Sequence, residues 1–376
     1  MYKIMTAGPT QVRENVRMAR SLETTNPDLD VAFVEFYKET CDKLQSLLHC
    51  SGRAYILGGE GILGLEAACA SLTEPGDRVL VLDNGIFGKG FADFVTMYGG
   101  EAVLYTSDYQ RPIDAADLRS FLEKDSDFKY ATVVHCDTPS GVLNDVSEIC
   151  PLLAEFGILS VVDSVAGMFG EYLNFDESKI DILCGGSQKA LSAPAGLTML
   201  WVSDKAMEAM ESRKTPVAAF YANILTFKTY YEDKWFPYTM PISDITGLAV
   251  AVDNAIADKD ILSRHEKIAS ATRGAVTKAG LSLYLEEGYS NTVTVIEVPQ
   301  GVTDRQILDT LKDKYNVMIS GCFDVLAGKV IRIGHMGENA NVDDMTLTLD
   351  AMDKTFADLG VKLNCSMKEE FLNRLR

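Results

Sequence analysis

Between residues 55 and 205 the chain passes through short, continuously apolar runs, each separated from the next by a longer segment with helical periodicity. The runs at 78–82, 102–105, 130–136, 159–163, 180–184 and 198–202 are rich in Val, Ile and Leu. A strand with one face in water alternates polar and apolar residues; these runs do not, so both faces are expected to be buried. That is the pattern of a mostly parallel sheet sandwiched by helices. Segments 62–72, with Ile62, Leu65, Cys69 and Leu72 on one stripe, and 145–156 read as two of those helices. The expected class is α/β.

After about residue 250 the texture changes. A long helical pattern covers 245–280, followed by strand patterns at 291–298, 317–320 and 330–335 and helices at 304–315 and 342–359. Single cores usually stop growing near ~250–300 residues, so 376 residues divide naturally into a large and a smaller unit. The expected organisation is an N-terminal arm (1–16), a large domain (17–250) and a small α+β C-terminal domain (251–376). A helix is expected to pass between the last two.

With 35 basic against 54 acidic side chains the net charge is −19, which argues against a hold on DNA or RNA, since that needs clustered Lys and Arg. An anionic membrane surface is disfavoured for the same reason. No apolar run approaches the ~20 residues of a membrane-spanning helix. The opening MYKIMTAGPTQVRENVR carries charges where a secretory leader has its apolar core, so a cytoplasmic location is expected. The eight cysteines lack a CxxC pair and read as small buried hydrophobes. The four histidines lack metal-ligand spacing, and no metal is expected.

In open parallel sheets ligands collect at the carboxyl ends of the strands. Four such ends stand out: GGEGILGLEAA (58–68), CDTPSG (136–141), VVDS (161–164) and GGSQKALSAPAGL (185–197). Lys189 follows a strand and precedes an apolar turn, where burial would favour a neutral amine able to form a Schiff base; a solvated loop lysine is the plain alternative. Asp163 ends a buried strand and needs a cationic or multi-donor partner, unless it only caps the next helix. Segment 58–68 is a glycine-rich turn opening a helix, a geometry that aims amides at an anion or simply packs tightly.

Together with TAGPT (6–10), NGIFG (84–88) and IRIGHMG (331–337), these segments resemble, in order and spacing, the class V aminotransferases of fold type I, the serine–pyruvate/alanine–glyoxylate type. The resemblance implies pyridoxal 5'-phosphate and a homodimer with shared active sites. It implies Lys189 as the Schiff-base lysine, Asp163 as partner of the pyridine nitrogen, Phe87 stacked on the ring and Thr138 on the phenolic oxygen. Gln188 joins the cofactor site, while Gly8 and Arg332 serve the substrate, Arg332 as a bidentate grip on its carboxylate. The implied reaction is transamination in two halves, from a small amino donor to a 2-oxo acid such as pyruvate or glyoxylate.

Two departures mark the phosphate site. Glu60, Gly61 and Ile62 stand where the family has Ser-Gly-Thr, and in FPYT (236–239), the segment that resembles the partner chain's contribution to the phosphate site, Thr239 is kept while Phe236 replaces a tyrosine. Two unit charges 4 Å apart repel by roughly 4 kcal/mol at an effective dielectric near 20, so a carboxylate aimed at a phosphate works against binding it. One branch of the family avoids the conflict by using unphosphorylated pyridoxamine as a substrate, with pyruvate as acceptor. GEGILGLEAACASL, CDTPSG, GLTM and IRIGHMG are similar to that branch, with Glu60 accepting from the 5'-hydroxyl. Phe87, however, replaces its tyrosine, and nothing in 322–328 matches its second carboxylate-binding arginine. Alternatively Glu60 turns aside and the amides of Gly61 and Ile62 still hold phosphate. A fold-type I lyase such as a cysteine desulfurase would share Lys189 and Asp163, with Cys322 as its only candidate thiol.

Overall fold

The computed structural model describes residues 2–376. Its central sheet has seven strands: β1 (Arg53–Gly58), β2 (Arg78–Asp83), β3 (Glu101–Thr106), β4 (Tyr130–Val134), β5 (Leu159–Asp163), β6 (Ile182–Gly186) and β7 (Leu197–Val202). They lie in the order β1-β7-β6-β5-β4-β2-β3. All neighbours are parallel except β7, which runs antiparallel to both β1 and β6. Every residue of β4 to β7 is buried, which is why their runs carry no alternation. The exposed rim is β3, whose residues are half-buried or exposed throughout.

At the other rim, β1 is covered by the helix Val31–Leu47. Its Tyr37 hydroxyl donates to Ile56 O (2.8 Å) and accepts from Ile56 N (2.7 Å), closing the open edge of the strand. Removing that oxygen orphans two buried backbone groups, each worth about 1–3 kcal/mol of desolvation. Tyr37→Phe is therefore expected to lower unfolding free energy by about 2–4 kcal/mol in urea titrations; an unchanged midpoint would contradict this.

Three expected elements differ in the structure. The run at 130–136 is not one strand: β4 stops at Val134, and Cys136–Asp137 folds back antiparallel on Val142–Leu143. The turn between them needs Gly141 at φ +82°. The run at 180–184 enters the sheet only at Ile182, because the Asp181 carboxylate is spent on Ser160 N and Ser203 Oγ. The single helix expected over 245–280 is two, Ile242–Ala257 and Ile261–Lys278. Asp258 leaves the helical region (ψ 88°), and Arg264 fastens it by an ion pair at 2.7 Å.

The first of these helices packs on the main core through Ile245, Leu248, Ala251 and Val252. The second packs on a separate cluster through Ile268, Ala271, Ala275 and Val276. Around that second cluster, Val293–Glu297 pairs antiparallel with Val330–Gly334, and Val317–Met318 pairs in parallel with Lys3–Ile4. The N-terminal segment thus starts on the C-terminal part and then crosses to the main sheet, where Thr10 N donates to Gln188 O at 2.9 Å. The helix Glu14–Arg20 begins inside the expected arm. Among the described residues no helix is long and apolar enough to cross a membrane.

Candidate active site

The carboxyl ends of β1, β4, β5 and β6 meet at a cavity of about 370 Å³. Gly8, Glu60, Gly61, Ile62, Phe87, Thr138, Asp163, Gln188 and Lys189 all line it. Lys189 reaches in from the loop after β6, and its Nζ donates to Ala7 O at 2.6 Å. Burial brings its pKa down to about 8; the Arg332 charge acts in the same direction, opposed by Cys136, Asp163 and Glu60. Gly8 sits at φ +100°, and a Cβ there would fall on the Lys189 side chain, so close approach of the N-terminal segment demands glycine.

Asp163 ends β5 with Oδ1 accepting from Val165 N at 2.9 Å. No Lys or Arg of the described residues comes within ion-pairing distance of it. Burial pushes it up to about 7, against the pull of the Val165 amide and of Lys189. A protonated ring nitrogen placed in the cavity would supply the missing cation.

Phe87 opens the helix Ile86–Met97, and its amide donates to Asp137 Oδ1 at 3.0 Å. Asp137, fully buried, also accepts from Ser140 N (3.2 Å) and Ser140 Oγ (2.9 Å). It therefore ties the ring-bearing helix to the turn that carries Thr138. Burial raises its carboxyl while the Arg332 charge lowers it. The sequence points to CDTPSG but to no role for Asp137 within it. Nor does it point to Cys136 or the Ala7 carbonyl, and only for Asp137 is there a signal, an acid buried between apolar strands.

Glu60 is the N-cap of the helix Gly61–Leu72: its Oε1 accepts from Ile62 N at 3.1 Å, and its Oε2 accepts from Gln188 Nε2 at 3.0 Å. Gln188 Oε1 is buried without a partner. The Ile62 amide is thus already spent, and a carboxylate stands at this end of the cavity. Exposed Ile62 offers no hydroxyl there.

Two expected site residues do not line the cavity. Thr239, which the resemblance assigns to the partner chain's site, is exposed, with its Oγ1 donating to Asp28 Oδ2 at 2.8 Å. Arg332 stands back on the strand Val330–Gly334, buried, with Nε donating to Gly321 O at 2.8 Å. Both terminal nitrogens of its guanidinium remain for a carboxylate. Cys322 is half-buried, with burial raising its thiol pKa, which opposes a reactive thiolate.

The apolar walls formed by Leu65, Phe87, Val165 and Ala166, with a few convergent polar groups, suit a small heteroaromatic ring. The Glu60 carboxylate at the end of the cavity can accept a hydrogen bond from a hydroxyl. The family model for aminotransferase class V matches residues 25–329, and the chain belongs to that family, on the fold-type I scaffold. Enzymes of this class depend in general on pyridoxal phosphate.

The chain is 33% identical over 364 residues to the pyridoxamine–pyruvate transaminase of Mesorhizobium japonicum, covering 96% of this chain and 92% of that one. It is 32% identical to an uncharacterized aminotransferase of Methanocaldococcus jannaschii, covering 96% and 94%. The crystal structure of pyridoxamine–pyruvate aminotransferase from Mesorhizobium loti superposes with a TM-score of 0.94 at 32% identity, covering 99% of this chain and 96% of that one.

Proposed function

We infer that this aminotransferase takes unphosphorylated pyridoxamine as its amino donor and passes the amino group to a short 2-oxo acid such as pyruvate or glyoxylate. The observation that carries this is the end of the cavity at the helix Gly61–Leu72. Glu60 holds the Ile62 amide that an anion would need and puts a carboxylate, itself tied to Gln188 Nε2, at that helix start. A 5'-hydroxyl donates to such a site; a phosphate, carrying about −1.5 to −2 charge, meets a carboxylate.

The pyridine ring of the B6 compound supplies the electron sink for the reaction. Asp163 holds the proton on its nitrogen. Lys189, whose burial favours the neutral amine, removes a proton from the amino-bearing carbon and returns it to the former carbonyl carbon of the oxo acid. Arg332 fixes the carboxylate of that acid. The products are pyridoxal and an amino acid. Phe220, Tyr221 and Trp235 are exposed close to Thr239 in sequence, which supports a homodimer in which this segment meets a second copy.

The test is to dialyse the purified protein, assay any retained chromophore for phosphate, and follow pyridoxal and alanine from pyridoxamine and pyruvate beside a panel of α-amino acids. No retained phosphate and turnover of pyridoxamine are expected, with Glu60→Ser raising affinity for pyridoxal 5'-phosphate. A phosphorylated chromophore that survives dialysis overturns the reading.

A further inference from the structure

Phe323 is an aromatic ring that the hydrophobic cores do not use. It is 45% exposed, on a short loop against Phe87 of the cavity wall. Leu326 anchors the loop in a small apolar cluster with Val293, Val295 and Val330. Asp324 adopts φ +51°, and Gly321 O receives the Arg332 Nε bond. The residue expected to grip the carboxylate thus also holds the loop that carries the ring.

From there Phe323 reaches both functional neighbours. Its ring lies edge-on to Phe87 with centroids 6.0 Å apart, and the Arg332 guanidinium carbon is 5.9 Å from its centroid. At 6.0 Å two phenyl rings are in contact, with no space for a chain between them. An oxo acid whose carboxylate lies on Arg332 therefore has the Phe323 ring, backed by Phe87, beside it.

We propose that Phe323 is a specificity-determining residue that closes the acceptor side-chain pocket and restricts the enzyme to short, monocarboxylic 2-oxo acids. The surrounding charge agrees: Asp137 and Asp324 flank the same corner, and among the described residues Arg332 is the guanidinium whose charge reaches it, so a second carboxylate on the substrate meets acids there. The proposal rests on the transaminase reading only in taking Arg332 as the carboxylate grip; it does not depend on which amine is the donor.

The experiment is calorimetric titration of wild type, Phe323→Ala and Phe323→Leu with pyruvate and with 2-oxohexanoate, followed by kcat/KM for both acids with pyridoxamine as donor. In Phe323→Ala the preference for 2-oxohexanoate relative to pyruvate is expected to rise about tenfold or more, the scale at which pockets discriminate methylenes, with Phe323→Leu in between. A ratio within about twofold of wild type, or an equal loss for both acids, overturns the proposal. Failure of pyridoxamine to turn over in wild type would instead sink the donor assignment, while the binding ratio still decides the role of Phe323.

Discussion

Lys189→Ala is expected to lower kcat for transfer from pyridoxamine to pyruvate by about 10⁴-fold, the upper end of what a positioned acid–base group supplies. In this direction the donor already carries its amine, so the loss reports proton transfer between two carbons. The same lysine should be the one labelled when pyridoxal is trapped on the protein with cyanoborohydride. Burial lowers its pKa to about 8 from 10.5, so the neutral, reactive fraction grows as pH rises through 8 and is nearly complete above 9. The trapping rate, read by mass spectrometry, should rise with pH and level off there; a solvated lysine would still be climbing at pH 10. Full activity of the alanine variant, or label on another residue, would remove Lys189 from the mechanism.

Arg332→Gln is expected to raise KM for pyruvate by about 10²–10³-fold, since truncating one partner of a buried charge pair costs about 2–5 kcal/mol. The change also removes the charge that lowers the buried Asp137 carboxyl and the donor that holds Gly321 O. Arg332→Lys keeps the charge but not the planar fork, and should recover only part of the loss. The effect should fall on KM for the oxo acid more than on KM for pyridoxamine, whose ring, on this reading, would lie against Phe87 and Asp163. An unchanged KM for pyruvate would show that the carboxylate binds elsewhere.

Much of the architecture was legible because burial leaves its mark on composition. Runs without alternation marked β4 to β7, and the polar residues ending them marked the cavity wall. The departures arose where one backbone or side-chain interaction outweighed the pattern. Apolar periodicity continues through 245–280, so nothing in it foretold that Asp258 would turn out of the helix and pair with Arg264. The strand expected over 130–136 ended early because the chain folds back on itself at Gly141.

For the site, local sequence determined which chemistry could be present: a lysine and an aspartate at buried strand ends, an arginine on a late strand, and a carboxylate where the family carries hydroxyls. Only the tertiary structure decided what those groups do to one another. Glu60 could have faced a phosphate or turned away. In the fold it caps its own helix and takes the amide of Gln188, a residue 128 positions along the chain. Lys189 acquires its lowered pKa, and Ala7 O and Arg332 become its neighbours, because the N-terminal segment and the C-terminal strand are brought to the same sheet end. Residue type sets a group's intrinsic chemistry, whereas burial and long-range neighbours set its charge state and orientation, and these exist only once the chain has folded.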